Sequence, residues 1–234
     1  MSSFAFKQFT IQQDQCAMKV GTDAVLLGAW AEAREGCLLD VGTGTGVIAL
    51  MLAQRTAGSR IYGIEIDTAA AAQAGRNIEA SPWSDRVTVI NEDVCRWDNR
   101  VKYDEIVSNP PFYVNSPASS SLQRDTARKS SADFFSSLIG FAAQHLKDDG
   151  VFEVILPENE KDDFIFKCWE NNLFLMNQML VCTRQGKKPK RALLRFSPVR
   201  SVAQYGTLVM TDANNVYTED YRRLTADFYL NMNS

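Results

Sequence analysis

The chain reads Cys37-Leu38-Leu39-Asp40-Val41-Gly42-Thr43-Gly44-Thr45-Gly46 at the point where a short apolar run meets a group of glycines. The residues before Gly42 predict a buried β-strand, and residues 47–55 predict the helix that follows it. Glycines between the two let the chain turn tightly and let its backbone approach a ligand. In an open α/β sheet, this turn is where ligands bind. The stretch therefore predicts both the fold class and the place of a ligand.

Strands and helices alternate along the rest of the chain. Further strands are predicted at 60–66, 86–91, 103–108 and 150–156, and strand-like runs follow at 173–183, 191–197 and 205–211. Helices are predicted at 23–33, at 68–80 with Thr68 as its N-cap, at 132–146 and at 219–230. Such alternation indicates parallel strands joined by right-handed crossovers. We therefore predict a doubly wound, Rossmann-like α/β fold with a seven-stranded, mostly parallel sheet and helices on both faces.

The composition is that of an ordinary globular domain, with 45% apolar and 23% charged residues among 234. No apolar run approaches the roughly 18 residues that a membrane helix needs, and the N-terminus lacks a signal pattern. We therefore expect a cytoplasmic protein without membrane contact. Five cysteines without a Cys-x-x-Cys pair, and a single histidine, His145, predict neither a disulfide framework nor a metal site. The net charge of −3 argues against non-specific binding to nucleic acid but allows a local basic surface.

Acidic residues accompany the glycine turn. Asp40 precedes it, where a carboxylate repels a pyrophosphate and suits a cationic ligand. Glu65 ends the second strand, placed to bind a ribose diol, and Asp93 follows the third, where it reaches an adenine. The spacing Gly44-x-Gly46-x-x-Ala49 also permits a dinucleotide fingerprint, so spacing alone does not decide. The acids favour a ligand with a ribose, an adenine and a cationic amino-acid tail, which is S-adenosylmethionine. Its predicted binding residues here are Asp40, Gly42, Gly44, Gly46, Glu65, Asp93 and Asn109.

Asn109-Pro110-Pro111-Phe112 follows the fourth strand and therefore lies at the same edge of the sheet as the glycine turn. An exocyclic amine on adenine is a poor nucleophile because its lone pair is delocalised. The side-chain carbonyl of Asn109 and the backbone carbonyl of Pro110 can accept its two protons, and the prolines hold both acceptors rigidly. Phe112 offers a face on which a flipped base stacks. Alone the tetrapeptide predicts a turn; beside the glycine turn it predicts methylation of a planar amine, mainly by alignment.

These motifs resemble those of class I amino-methyltransferases. The opening segment narrows the resemblance through Phe6–Thr10, Asp14 and Lys19–Trp30. With it, nearly the whole chain resembles the bacterial tRNA(Val) adenine-N6 methyltransferase family, which modifies the adenosine beside the anticodon. The resemblance implies a tRNA methyltransferase that uses S-adenosylmethionine. Nothing in the sequence demands a dimer or a metal, so we expect a monomer without a metal.

The resemblance also implies an organisation. Residues 1–35 (the pre-sheet segment) would cover the methionine end of the cofactor, and residues 36–234 would form the methyltransferase domain of a single-domain protein. Lys19, Thr22 and Asp23 are the positions that would close over the cofactor. For Asp23, a role as helix cap is an equal alternative.

Two basic clusters are candidates for contact with RNA. Lys187-Lys188-Pro189-Lys190-Arg191 is expected at the tip of a hairpin, and Arg124, Arg128 and Lys129 on a long polar loop at 114–131. Both could contact tRNA phosphates. For either cluster alone, a solvated basic turn is the alternative.

Three other functions are open to the same motifs. A protein-glutamine methyltransferase for release factors uses a similar tetrapeptide, but with tyrosine in place of Phe112 and with a helical N-terminal domain that 35 residues cannot form. A guanine-N2 rRNA methyltransferase also targets a planar amine. A cofactor-binding module without turnover would not need Asn109.

Overall fold

The computed structural model describes residues 2–16, 19–97, 100–111 and 121–231, with the backbone alone at 121–132. Its strands are β1 Ser3–Ala5, β2 Thr10–Gln12, β3 Cys37–Val41, β4 Arg60–Glu65, β5 Val87–Asn91, β6 Tyr103–Ser108, β7 Leu146–Pro157, β8 Phe174–Arg184, β9 Arg191–Ser197 and β10 Gln204–Thr211. Its α-helices are α1 Thr22–Trp30, α2 Val47–Arg55, α3 Thr68–Glu79, α4 Ser121–His145, α5 Lys161–Glu170 and α6 Glu219–Thr225.

The main sheet confirms the predicted doubly wound α/β fold. Its strand order is β10-β8-β9-β7-β6-β3-β4-β5, and β1 and β2 form a separate antiparallel hairpin. Within the described ranges, β9 alone runs against the other strands of this sheet. The sheet has eight strands rather than the predicted seven, because β10 pairs with β8 and extends the edge.

Two further predictions about local structure were wrong. Helix α4 begins at Ser121, so Arg124, Arg128 and Lys129 lie on a helix and not in a loop, while 112–120 fall outside the described residues. The stretch 121–131 has no apolar periodicity, which is why its pattern did not indicate a helix. The N-cap of α3 is Asp67, whose side chain accepts a hydrogen bond from the Ala70 amide, and not Thr68.

Helices cover both faces of the sheet. Residues of α1 and α2 form one buried cluster with the N-terminal hairpin, and residues of α4 and α5 form a second cluster on the other face. Helix α2 is buried at seven of its nine residues, from Val47 to Ala53, so its packing fixes the glycine turn that precedes it. No helix in the described part of the chain has the length and apolarity needed to cross a membrane.

The residues of the predicted site lie at one edge of the sheet. The strands β7, β6, β3, β4 and β5 are parallel, so their carboxyl ends meet there. At this edge Val41 is the neighbour of Ile64 on one side and of Ser108 on the other. Strand β8 runs parallel to β7, since both are antiparallel to β9. The connection 185–190 therefore lies at this same edge.

Candidate cofactor and catalytic site

The glycine turn has a backbone conformation that explains its composition. Gly42, Gly44 and Gly46 all have positive φ, at 73°, 55° and 82°, which side chains with a Cβ rarely adopt. A Cβ on Gly42 would meet nothing within 4 Å, so conformation rather than space requires glycine there. The amides of Gly42 and Thr43 donate to the Ile64 carbonyl at 2.9 and 3.1 Å. The turn is therefore fastened to the end of β4.

Asp40 lies beneath this turn and is fully buried. Its Oδ2 accepts hydrogen bonds from Thr43 Oγ1 at 2.6 Å and from the Ala49 amide at 3.2 Å. Its Oδ1 accepts none. Burial raises the pKa of Asp40 to about 7, the charge of Glu65 adds to this, and the two hydrogen bonds oppose it. One oxygen thus holds the turn in shape, and the other is an unpaired buried acceptor that suits a cationic ligand.

Glu65 is oriented by the backbone. Its Oε2 accepts from the Gly44 amide and its Oε1 from the Asp67 amide, both at 2.9 Å. A carboxylate oxygen can accept more than one hydrogen bond, so both oxygens remain able to bind a diol. In the turn after β5, Asp93 Oδ1 accepts from the Cys95 amide at 2.9 Å. Both acids are half-buried, and they follow neighbouring strands.

Asn109 follows β6 on the other side of the glycine turn. Ser108 Oγ donates to the Val41 carbonyl at 2.9 Å, which ties the end of β6 to the end of β3. Asn109 Oδ1 is buried and accepts no hydrogen bond. Pro110 is buried and Pro111 exposed, while Phe112 lies outside the described residues. The site therefore presents an unpaired carbonyl oxygen beside the turn that is predicted to hold the cofactor.

Comparison with known proteins agrees with this geometry. The family model of the methyltransferase small domain matches residues 17–167. A relative from Phocaeicola vulgatus, named tRNA1(Val) (adenine(37)-N6)-methyltransferase, is 44% identical, with 98% of each chain covered. A relative of the same name from Glaesserella parasuis is 41% identical, with 100% of each covered. The chain belongs to this family of methyltransferases.

Solved structures of other methyltransferases share the fold. One, described as a predicted O-methyltransferase from Agrobacterium tumefaciens, has a TM-score of 0.70 at 19% identity, with 88% of this chain and 96% of that chain covered. A methyltransferase from Pyrococcus furiosus has a TM-score of 0.57 at 20% identity, with 79% and 90% covered. The family and fold expected from the sequence are therefore confirmed.

The pre-sheet residues of this methyltransferase differ in their surroundings. Burial, and then the charges of Glu65 and Asp67, raise the pKa of the Cys16 thiol. Asp23 does not cap α1, because the N-cap is Gly21 and no side chain caps the helix there. Instead, Asp23 Oδ2 accepts from Arg191 Nε at 2.7 Å. Lys19 and Thr22 are exposed.

The ion pair with Asp23 distinguishes Arg191 from the lysines of the basic run at 187–191. Lys187, Lys188 and Lys190 are exposed in the connection between β8 and β9, at the edge that carries Asn109. Arg191 begins β9, opposite Pro157 at the end of β7, and its side chain is half-buried against Asp23. The lysines are therefore the part of the run that faces solvent.

Two features of the site could not be seen in the motifs. Ile66 is 68% exposed directly after Glu65, although it completed an apolar strand pattern that predicts burial. Gly63 has no room for a Cβ, which would lie 2.8 Å from Thr43 Oγ1. Since Thr43 Oγ1 donates to Asp40, Gly63 makes the space that this hydrogen bond needs.

Proposed function

We propose that this methyltransferase transfers a methyl group from S-adenosylmethionine to the exocyclic N6 of an adenosine in tRNA, at position 37 of tRNA1(Val) as in the names of its relatives. One observation carries the proposal for the chemistry. Asn109 Oδ1 is a buried acceptor without a partner, fixed at the edge that also bears Glu65 and the glycine turn. Buried acceptors are rarely left unpaired, and one that is left so at the ligand-binding edge of the sheet is available to a substrate.

The residues at the glycine turn fit S-adenosylmethionine. Glu65 would bind the ribose diol through its two oxygens, and Asp93 would accept from the adenine amine. The unpaired Oδ1 of Asp40 suits the positive charge at the methionine end, toward which Lys19, Thr22 and Asp23 extend the site. Ile66, exposed beside Glu65, offers an apolar face to the adenine ring. When bound, the cofactor supplies an electrophilic methyl group on a sulfonium.

Asn109 and Pro110 prepare the target nitrogen. Each carbonyl accepts one N–H of the N6 amine, which draws its lone pair out of conjugation and aims it at the methyl carbon. The nitrogen lone pair would form the new C–N bond with the methyl group that the bound cofactor would supply, and the electron pair of the broken C–S bond would leave with sulfur. Neither carbonyl is a useful base, so the surplus proton passes to water after transfer. Phe112 would stack on the flipped base. Catalysis rests on alignment, which can supply a large share of a rate enhancement.

The charges around this edge suit a polyanion on one side of the catalytic motif. Lys187, Lys188 and Lys190 are exposed between β8 and β9, beside the end of β7, whereas Glu65 and Asp93 lie toward β5. We assign the lysine side to tRNA phosphates. Arg191, whose Nε pairs with Asp23, would add to this phosphate-binding surface. Arg124, Arg128 and Lys129 would add to it from the first half of α4.

The test is a methylation assay with unfractionated substrates. Purified protein and methyl-labelled S-adenosylmethionine are incubated with bulk tRNA, rRNA or protein from cells that lack this gene. We expect labelled N6-methyladenosine in the tRNA fraction, confined to one tRNA. Label in the protein fraction alone would establish glutamine methylation instead, and N2-methylguanosine in rRNA would establish the guanine enzyme. Cofactor binding without label in any fraction would contradict turnover.

A further inference from the structure

Asn77 is a buried amide on α3 that contacts two parts of the cofactor region at once. Asn77 is buried, with 2% of its surface exposed. Nδ2 donates to the Thr45 carbonyl and to the Gln12 carbonyl, each at 2.9 Å. Oδ1 accepts from the Gln12 amide, also at 2.9 Å. The side chain therefore uses both of its N–H groups and its carbonyl oxygen on backbone atoms.

The two partners belong to different segments. Thr45 lies in the glycine turn, between two glycines with positive φ. Gln12 ends β2 in the N-terminal hairpin. The two segments are 33 positions apart in sequence, from Gln12 to Thr45. Asn77 therefore links the glycine turn, which is proposed to bind the cofactor, to the N-terminal hairpin that precedes Gln13.

Gln13 extends these hydrogen bonds to Val20 and Ser2. It follows Gln12 directly, is 8% exposed, and accepts a hydrogen bond from the Val20 amide through Oε1 at 2.8 Å. Its Nε2 donates to Ser2 Oγ at 3.3 Å. The chain that leaves Gln13 thus returns to it at Val20. Asn77 holds Gln12, and Gln13 holds the ends of the loop.

We propose that Asn77 is a positioning residue that fixes Gln12, and through Gln13 the amide of Val20, relative to the glycine turn, so that cofactor binding requires these residues to be in place. This proposal rests on the proposed use of S-adenosylmethionine. An amide is needed because two carbonyls and one N–H must be satisfied together. Aspartate has the same shape but no N–H groups, and its charge would face two carbonyl oxygens.

The experiment compares Asn77→Asp with Ser81→Ala. Ser81 is a matched control, because it is also buried, follows the same helix, and donates to the Ile78 carbonyl without touching the glycine turn or the hairpin. S-Adenosylmethionine affinity is measured by calorimetry on folded protein, with kcat and KM for both substrates. For Asn77→Asp we expect about a tenfold weaker cofactor affinity, as for buried partners left unpaired. Its kcat at saturating cofactor should stay within about threefold, because the residue does not touch the target amine.

Hydrogen exchange separates positioning from general destabilisation. In Asn77→Asp the Val20 amide should exchange faster in the ligand-free protein, while amides in β7 keep their wild-type rates. Ser81→Ala should change neither the cofactor affinity nor the Val20 amide. If Asn77→Asp does not fold, Gln13→Ala provides the second variant. It releases Val20 without altering the glycine turn and should also weaken the cofactor, by a smaller factor.

Three results would overturn the inference. Wild-type cofactor affinity in folded Asn77→Asp would do so, as would equal losses in Asn77→Asp and Ser81→Ala. Wild-type affinity in Gln13→Ala would separate the loop from cofactor binding. A wild-type protein that binds no S-adenosylmethionine would instead refute the proposed function, before any variant is compared.

Discussion

Two groups of buried oxygens on this sheet differ in how completely the protein satisfies them. Glu105 and Glu153 are both 0% exposed beneath the connection between α1 and β3. Glu105 accepts from the amides of Ala33 and Arg34. Glu153 accepts from the Glu32 amide and from Arg195 Nε. At the carboxyl edge, by contrast, Asp40 and Asn109 each keep one buried oxygen without a partner.

The difference separates a structural group from a binding group. Every carboxylate oxygen of the glutamate pair has a donor within the protein, and those donors hold the connection that leads into β3. The two unpaired oxygens lie at the edge where parallel sheets bind ligands. A buried acceptor without a donor is unfavourable in the free protein, so a ligand that supplies a donor at this edge would be stabilised there. The predictions below test this contrast.

Asn109→Ala should have the largest effect. It removes the acceptor proposed to act on the target amine, so kcat should fall by about 100-fold to 1000-fold, as when one transition-state hydrogen bond is lost. S-Adenosylmethionine affinity and the melting temperature should change little, because this oxygen has no partner within the protein. Asn109→Asp keeps an acceptor oxygen and should lose less. Single-turnover methylation of tRNA measures both variants, and equal turnover in Asn109→Ala and wild type would refute the assignment.

Glu153→Gln should affect stability instead. Glu153 is the acid paired with Arg195, and breaking a buried ion pair lowers the free energy of unfolding by about 3 kcal/mol or more. Burial, and then the charge of Glu153, raise the pKa of Glu105 well above its usual value. Glu105→Gln resembles the neutral form of this acid, so it should be the milder change. Urea unfolding at pH 7 compares the two, and a larger loss for Glu105→Gln would reverse the roles assigned here.

Much of this contrast could not be predicted from the sequence. Cys37–Val41, Val47–Arg55 and Tyr103–Ser108 were predicted with the bounds that the structure has, because apolar runs and glycines mark them directly. The acids of the site were also placed at the correct edge, since parallel strands bring their carboxyl ends together. The pairing of Asp23 with Arg191 joins residues 168 positions apart, and no local pattern reports such a contact.

The burial of Glu105 and Glu153 shows a second limit. Charged residues within a strand pattern predict a solvated face, yet both of these are in the core. Apart from Arg195, which pairs with Glu153, their partners are backbone amides of Glu32, Ala33 and Arg34, which have no side-chain signature. The same holds for Asn77, whose partners are all backbone atoms. Motifs therefore identify the residues that would meet a ligand, while the residues that hold them emerge from the fold.

The pKa of Asp40 predicts that stability and cofactor affinity depend on pH, which again distinguishes the unpaired oxygens from the glutamate pair. Its pKa in the folded protein is raised to about 7, so its contribution to stability is lost as pH rises from near the unfolded value toward 7. A cationic ligand favours the ionised form, so cofactor affinity should increase over the same range. For a group with this pKa the gain is about tenfold between pH 6 and pH 7.5. Calorimetry on wild type and Asp40→Asn measures it; a slope that persists in Asp40→Asn would assign the effect to another group.

The lysines of the β8–β9 hairpin should give the smallest effect and extend the contrast to the surface. Lys187→Ala combined with Lys188→Ala should raise the KM for tRNA by about twofold to fivefold at moderate salt, and flatten its salt dependence, because two phosphate contacts are lost. Lys102→Ala combined with Lys147→Ala is the matched control, since it removes the same charge at the starts of β6 and β7, on the opposite edge of the sheet. It should leave the KM for tRNA unchanged. Equal effects in both pairs would mean that net charge alone attracts the tRNA. A selective effect at Lys187 and Lys188 would mean that the tRNA lies across the ends of β7 and β6, where the unpaired oxygen of Asn109 meets it.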